Sequence, residues 1–225
     1  VLPIVLTSME HIMDFFYLGD CLDILPTLPD GVADFALTDP PYLVNYKDRS
    51  GRSIANDVHG EWLAPAFDEV FRVLKRDALC ISFYGWTKTD EFFDAWRSVG
   101  FRIVGHIVFA KPYASRERFV KYQHESAYVL AKGSPALPAS PVPDVLPWKY
   151  SGNRLHPTEK PIGSMRTLIE AFTKPGDLVL DPFAGSGTTC AAAKQLRRRY
   201  VGIELDATYH ASAVARLAAL DAIAA

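Results

Sequence analysis

The chain has 225 residues, 49% of them hydrophobic and 22% charged, with a formal net charge of −2. That hydrophobic share supports a sizeable core but is too dispersed for a membrane span, and the near-neutral balance excludes a protein that grips nucleic acid through its overall charge. Three widely spaced cysteines, Cys21, Cys80 and Cys190, form no CxxC pair, which excludes a disulfide scaffold and predicts free thiols in a reducing cytoplasm.

Length predicts a single domain over residues 1–225. The opening Val1-Leu2-Pro3-Ile4-Val5-Leu6 is too short to span a membrane, and no basic segment or small-residue cleavage site frames it as a signal peptide. Met9 and Met13 are alternative starts. Asp14 to Leu18 reads as a first strand, ended by Gly19-Asp20-Cys21, which opens a short helix closed near Pro26. Asp20 is either a helix cap or an acceptor for a ligand's amino group.

Val32 to Leu37 is short and mostly apolar, as a buried parallel strand should be. It runs into Asp39-Pro40-Pro41-Tyr42, which sits where open α/β sheets put their chemistry. The prolines fix their own φ and push the preceding residue out of the helical region, so Asp39 and Pro40 are held extended. The Asp39 carboxylate and the Pro40 carbonyl can accept both hydrogens of an aromatic amino group while Tyr42 stacks on its ring. Two acceptors localise a nitrogen lone pair otherwise drawn into the ring, which is catalysis by positioning and electrostatics.

Leu43 to Gly60 reads as a mobile polar loop carrying Lys47, Arg49 and Arg52, either simply solvated or in contact with phosphates. Leu63 to Leu74 has one apolar helical face, and Ala78 to Tyr84 is a buried strand. Lys88 to Val99 is a further helix, stopped by Gly100. Phe101 to Ala110 and Glu125 to Ala131 are strands. Between them Lys111, Arg116, Arg118 and Lys121 interleave with Tyr113, Phe119 and Tyr122, a mixture suited to phosphates and exposed bases, or to a plain charged hairpin tip. Ser134 to Pro147 holds five prolines and reads as a semi-rigid connector with no core of its own.

After His156-Pro157-Thr158-Glu159-Lys160-Pro161 comes a helix whose buried face runs from Ile162 to Phe172. The strand Leu178-Val179-Leu180 ends in Asp181-Pro182-Phe183-Ala184-Gly185-Ser186-Gly187-Thr188-Thr189, followed by a small-residue helix and the strand Arg199 to Ile203 with Glu204 at its tip. Glycine loop, helix, strand and a terminal acid about 20 residues on is the nucleoside-binding βαβ layout. A dinucleotide site would place a third glycine where Cys190 stands and would not need Asp181, which can pair with the ammonium of an amino-acid-like ligand. S-adenosylmethionine fits better: Asp181 toward its methionyl part, Gly185 and Gly187 beneath it, Glu204 on the ribose and Asp20 on the adenine amino group. No metal and no covalent enzyme intermediate are needed. Ala207 to Ala222 closes the chain as a helix capped by Asp206.

Five strings, Gly19-Asp20-Cys21, Asp39-Pro40-Pro41-Tyr42, His156 to Pro161, Asp181 to Thr189 and Gly202-Ile203-Glu204-Leu205-Asp206, span nearly the whole chain. Together they resemble the β class of DNA amino-methyltransferases, in which the catalytic motif precedes the glycine loop. The resemblance implies an α/β, Rossmann-like S-adenosylmethionine-dependent fold with circularly permuted motif order. Its sheet would have seven mostly parallel strands, one of them antiparallel. The catalytic half would be about 14–133, the connector and reduced target-recognition segment 134–155, and the cofactor half 156–222. It carries Asp39, Pro40, Pro41 and Tyr42 over as catalytic residues. It carries Asp20, Cys21, Thr158, Lys160, Asp181, Phe183, Gly185, Gly187, Thr188 and Glu204 over as cofactor contacts, and offers Phe109 for the base pocket.

Asp at the first catalytic position is similar to adenine-N6 members, whereas cytosine-N4 members more often carry Ser. The implied partner is DNA with its target base flipped out; relatives often dimerise and some serve beside a restriction nuclease. Cytosine N4, RNA, a protein amide, a non-catalytic DNA-binding module and an NAD-dependent oxidoreductase are the rival readings. The usual large target-recognition region is missing, so a short recognition site read by the two basic loops, or by a second subunit, is expected.

Overall fold

In the computed structural model, residues 14–47, 51, 53–150, 152 and 155–224 are described. Arg49 and Arg52, two expected phosphate contacts, lie outside them. In chain order the elements are β1 (Phe15–Leu18), α1 (Cys21–Ile24), β2 (Ala33–Thr38), α2 (Leu63–Val73), β3 (Leu74–Phe83), α3 (Thr89–Ser98), β4 (Arg102–Ala110), β5 (Arg116–Glu117) and β6 (Lys121–Tyr122). They continue with β7 (His124–Ala131), β8 (Val145–Pro147), α4 (Ile162–Phe172), β9 (Leu178–Asp181), α5 (Thr188–Gln195), β10 (Arg199–Glu204) and α6 (Ala207–Ala224).

Eight strands form one sheet in the order β1-β10-β9-β2-β3-β7-β4-β8, and β5 pairs with β6 apart from it. Within the large sheet only β7 runs antiparallel to its neighbours. Alternation along β2 feeds both faces: Ala36 packs with Phe67, Val70, Phe92 and Trp96 under α2 and α3, while Phe35 and Leu37 pack with Leu168, Ile169 and Ala191 under α4 and α5. A strand covered on both sides needs apolar residues at nearly every position, which is why it reads as an unbroken run.

Two features differ from the sequence reading. Leu74 leaves the helix and opens β3 directly, pairing with Ala33, and the register slips before Phe35 pairs with Leu79. Asp77, at φ 59°, lies within that slip. The proline-rich stretch is also more than a connector. Its residues Val145–Pro147 add the eighth strand beside β4, and Leu146 and Trp148 are buried in the core, with the Trp148 ring 5.7 Å from that of Phe109. Pro147 is tolerated there because β8 is an edge strand and its missing N–H interrupts no ladder. Among the described residues no helix is long and apolar enough to cross a membrane.

Candidate active site

Strand order reverses between β9 and β2: the β9–α5–β10 crossover leads to one side of the sheet and β2–α2–β3 to the other. Open α/β sheets bind ligands in the crevice outside the carboxyl ends of strands at such a point. Phe35 and Ala36 of β2 pair with Val179 and Leu180 of β9, so Asp39 and Asp181 stand at adjoining tips. One continuous cleft runs over both, lined by Asp20, Asp39, Tyr42, Asp181, Gly185 and Glu204 among others. Pro40, Pro41, Cys21, Phe183, Thr158 and Thr188 also face it.

On the β2 side the carboxylate is held by side chains. Tyr42 donates its hydroxyl to Asp39 Oδ1 at 2.8 Å, and Lys160 Nζ donates to Oδ2 at 2.5 Å. Burial raises the Asp39 carboxyl above its ordinary range, and the Lys160 charge and both hydrogen bonds oppose that rise without cancelling it. Burial and Asp39 push the Tyr42 phenol well up, so it stays a donor. Gly85, at the end of β3, lets the chain at Tyr42 approach: a Cβ there would lie 2.6 Å from the Tyr42 carbonyl oxygen. The loop after Tyr42 is pinned rather than free-standing. The buried carboxylate of Asp57 accepts from the amides of Val44 at 3.3 Å and Tyr46 at 2.7 Å, and Val44, Tyr46 and Asn56 line the cleft.

On the β9 side backbone amides hold the carboxylates, and at Asp181 the Thr189 hydroxyl also opposes the effect of burial. Glu204 accepts from the Gly185 amide at 2.8 Å and from the Asp206 amide at 2.7 Å; burial raises its carboxyl and those amides oppose the rise. Asp181 accepts from the Phe183 amide at 3.2 Å, and burial pushes its carboxyl up to about 7. Gly185 and Gly187 have φ of 52° and 73°, the left-handed region that suits glycine. A Cβ on Gly187 would also lie 2.9 Å from that of Ala213. Asp20 does cap α1, through the Leu22 amide at 2.9 Å, while still facing the cleft. Beside it, burial and Asp20 push the Cys21 thiol up to about 12, which keeps it neutral.

The segment from His156 to Lys160 joins the two sides. The His156 ring lies against Gly185, 3.6 Å from where a Cβ would be, and Thr158 Oγ1 is 3.1 Å from its Nδ1. Arg216, on α6, donates to Glu159 at 3.1 Å, to Thr188 Oγ1 at 2.9 Å and to the Ser186 carbonyl at 3.4 Å. Lys160 then reaches Asp39 across 121 positions of sequence. Sequence reasoning missed Arg216, whose place on a nearly featureless helix sends no signal, and placed Lys160 only toward the cofactor.

A model of the DNA methylase family matches residues 33–145 and 139–215. The chain belongs to the N6/N4 DNA methylase family. YubD of Escherichia coli (strain K12) is 59% identical over 208 residues, 92% of each chain. Among solved structures, the PvuII DNA methyltransferase (cytosine-N4-specific) aligns at TM-score 0.74 and 21% identity over 89% of this chain and 85% of that one. The M1.HpyAVI–SAM complex aligns at 0.70 and 23% identity over 90% and 98%. Those likenesses carry the fold, a Rossmann-like sheet of the kind the motif order implied, here with an eighth edge strand.

The remaining expected contacts of this methylase fall in different places. Lys47 is exposed and bridges Ser53. Arg116, Arg118 and Lys121 are exposed on the β5–β6 hairpin, with Phe119 fully exposed at its tip. Lys121 lies 3.4 Å from Glu117. Lys111 is not on that surface: its side chain is only 7% exposed, it pairs with Glu125 and it lies 5.6 Å from the centre of the Trp148 ring. Phe109 is fully buried, stacked behind Phe83, which is the ring that meets the cleft. Among the described residues no group of three or more His, Cys, Asp or Glu is gathered to hold a metal.

Proposed function

We propose that this methylase transfers a methyl group from S-adenosylmethionine to the exocyclic N6 of adenine in DNA, the target base being turned out of the duplex into the cleft. The observation that carries the reading is the placement of Asp39, with its donors Tyr42 and Lys160, in one cleft with the Gly185–Gly187 loop and Glu204. The cleft suits a cationic nucleoside. Its left-handed glycines leave backbone space, Glu204 can share lone pairs with ribose hydroxyls, and the buried Asp181 has every reason to seek a cation.

When bound, S-adenosylmethionine supplies a sulfonium methyl and leaves as the neutral thioether while the target amino group gives up one proton. The chain's own work is orientation. Each Asp39 oxygen holds one donor and keeps a second lone pair, so the carboxylate can still accept from an amino N–H. The Pro40 carbonyl takes the other hydrogen, and Asp39 accepts the departing proton and releases it to solvent. Tyr42, fixed by its bond to Asp39, presents its ring to the base. Adenine is favoured over cytosine because Asp, rather than Ser, stands first in the catalytic string, as in adenine-N6 members of the family.

DNA approach falls to Lys47 and to the β5–β6 hairpin, two small surfaces that fit a short recognition site. Incubation with DNA and isotopically methyl-labelled cofactor, digestion to nucleosides and identification of the labelled product tests the reading. Label on N6-methyladenine supports it, label on N4-methylcytosine replaces adenine by cytosine, and absence of transfer with cofactor bound overturns the catalytic reading. Mapping the modified bases on a plasmid library tests the short site; a long, strictly required sequence would count against it.

A further inference from the structure

The sequence resemblance directs Lys160 to the cofactor, and the structure puts its ammonium on the catalytic acid. Lys160 Nζ lies 2.5 Å from Asp39 Oδ2 with its side chain 8% exposed. It also sits 5.3 Å from the centre of the Tyr42 ring and 4.9 Å from that of Phe83. A cation placed between two aromatic faces and a carboxylate is fixed in position, since leaving would strip it of all three attractions. On its amino side, Glu159 is tied to Arg216, which also grips Thr188 and the Ser186 carbonyl of the glycine loop. On its carboxyl side Pro161 begins the turn into α4, whose Ser164 and Met165 amides donate to the Pro161 carbonyl at 3.0 and 3.3 Å.

We infer that Lys160 is a positioning residue for the catalytic acid: it anchors Asp39 Oδ2 so that the carboxylate is aimed at the target amino group, and it joins that acid to the segment braced on the glycine loop. This rests on the reading of Asp39 as the acceptor. The charges facing Asp39 show why the anchor matters. Tyr42 donates from the same loop, but Glu125 at the start of β7 and Asp181 at the tip of β9 are both acids, and Glu125 is itself shared with Lys111. Among the described residues Lys160 is the opposing cation in direct contact. Without it, burial and two neighbouring acids favour the protonated carboxyl, which has lost acceptor capacity and can turn its O–H toward the incoming N–H.

The test compares wild type, Lys160→Met and Lys160→Arg. The first readout needs no turnover: a carbon-13 NMR titration of the Asp39 carboxyl in aspartate-labelled protein, assigned with Asp39→Asn. Lys160→Met should move the midpoint about 1 to 3 pH units higher, the range that an adjacent cation typically contributes. Lys160→Arg should return it most of the way, which loss of packing would not explain. The second readout is the single-turnover transfer rate with saturating DNA and cofactor. Lys160→Met should lose about 100-fold near neutrality and shift its acid limb upward with the carboxyl, while the cofactor dissociation constant stays within about threefold, less than the loss of one hydrogen bond. An unmoved midpoint overturns the inference, and so does a collapse of cofactor affinity with the acid limb unchanged. If wild type proves inert on DNA, the reaction assigned above fails while the carboxyl titration still decides the role of Lys160.

Discussion

The two sides of the cleft hold their carboxylates by different means. Glu204 and Asp181, at the tips of β10 and β9, accept from backbone amides within their own turns or the adjoining glycine loop, with the Thr189 hydroxyl of the helix that follows that loop added at Asp181. Asp39, at the tip of β2, is held by the side chains of Tyr42 and Lys160. Amide-held acids come ready-made with the fold, because the βαβ turn that builds the loop also supplies the donors. A side-chain-held acid depends on residues from distant segments, so its charge and aim can change without any change of fold. On the function proposed above, binding sits on the first kind of support and chemistry on the second.

The strongest way to break this contrast is to remove an acid from each side. Asp39→Ala should lower the transfer rate by about a thousandfold or more, in the range found for deleting a preorganised electrostatic contact, while cofactor affinity by calorimetry stays near wild type. Survival of turnover within a few-fold would remove Asp39 from the chemistry. Glu204→Ala should do the reverse, weakening cofactor binding by about 10- to 100-fold through one or two lost charged hydrogen bonds, with the rate at saturating cofactor largely kept.

Asp181 sharpens the contrast through pH. Burial pushes its carboxyl from the ordinary 3.8 up to about 7, so the folded apoprotein binds more protons than the unfolded chain between those values. Stability from this group is therefore full below about pH 4 and declines as pH rises toward 7. In thermal melts, Asp181→Asn should flatten that decline and raise the melting temperature of the apoprotein near pH 8, while weakening cofactor binding. A variant as pH-sensitive as wild type would show that the buried acid is satisfied in some other way.

The smallest effect belongs to the rim. Replacing Arg116 and Arg118 by Ala should reduce the salt dependence of DNA binding by about one phosphate contact per residue, with the single-turnover rate at saturating DNA unchanged. Lys111→Ala should leave that slope alone and instead lower the melting temperature, since it strands Glu125. An equal change in slope from both would mean that the buried lysine also reaches the phosphates.

The same contrast explains what could be read from the sequence. The glycine loop, its strand and helix, and the acid at the tip of β10 are local in sequence, so spacing alone located them. The run into Asp39 was legible because β2 is covered on both faces. The bond from Lys160 to Asp39 spans 121 positions, and no local pattern announces such a partner. Lys111 and Arg116 look alike in a string of basic and aromatic residues; only the fold shows that one pairs inward with Glu125 while the other points outward. Trp148 went unread as core because prolines before it mask a three-residue edge strand. The segment from 43 to 60 reads as loose, yet its Val44 and Tyr46 amides are both held by the buried carboxylate of Asp57.

The β5–β6 hairpin is built as an appendage. Its two strands pair only with each other, and it is closed at its base by the Ser115 amide donating to the Tyr122 carbonyl at 2.9 Å and the Lys111 amide donating to that of Gln123 at 2.8 Å. Below that neck the β4–β7 ladder runs from Ala110 and His124 in one register as far as Gly105 and Val129. A tip of different length or composition grafted above the neck would leave the ladder, the ion pair of Lys111 and the cleft in place. If the hairpin reads DNA as proposed, selectivity is an interchangeable part that can drift or be engineered while the fold beneath it stays the same.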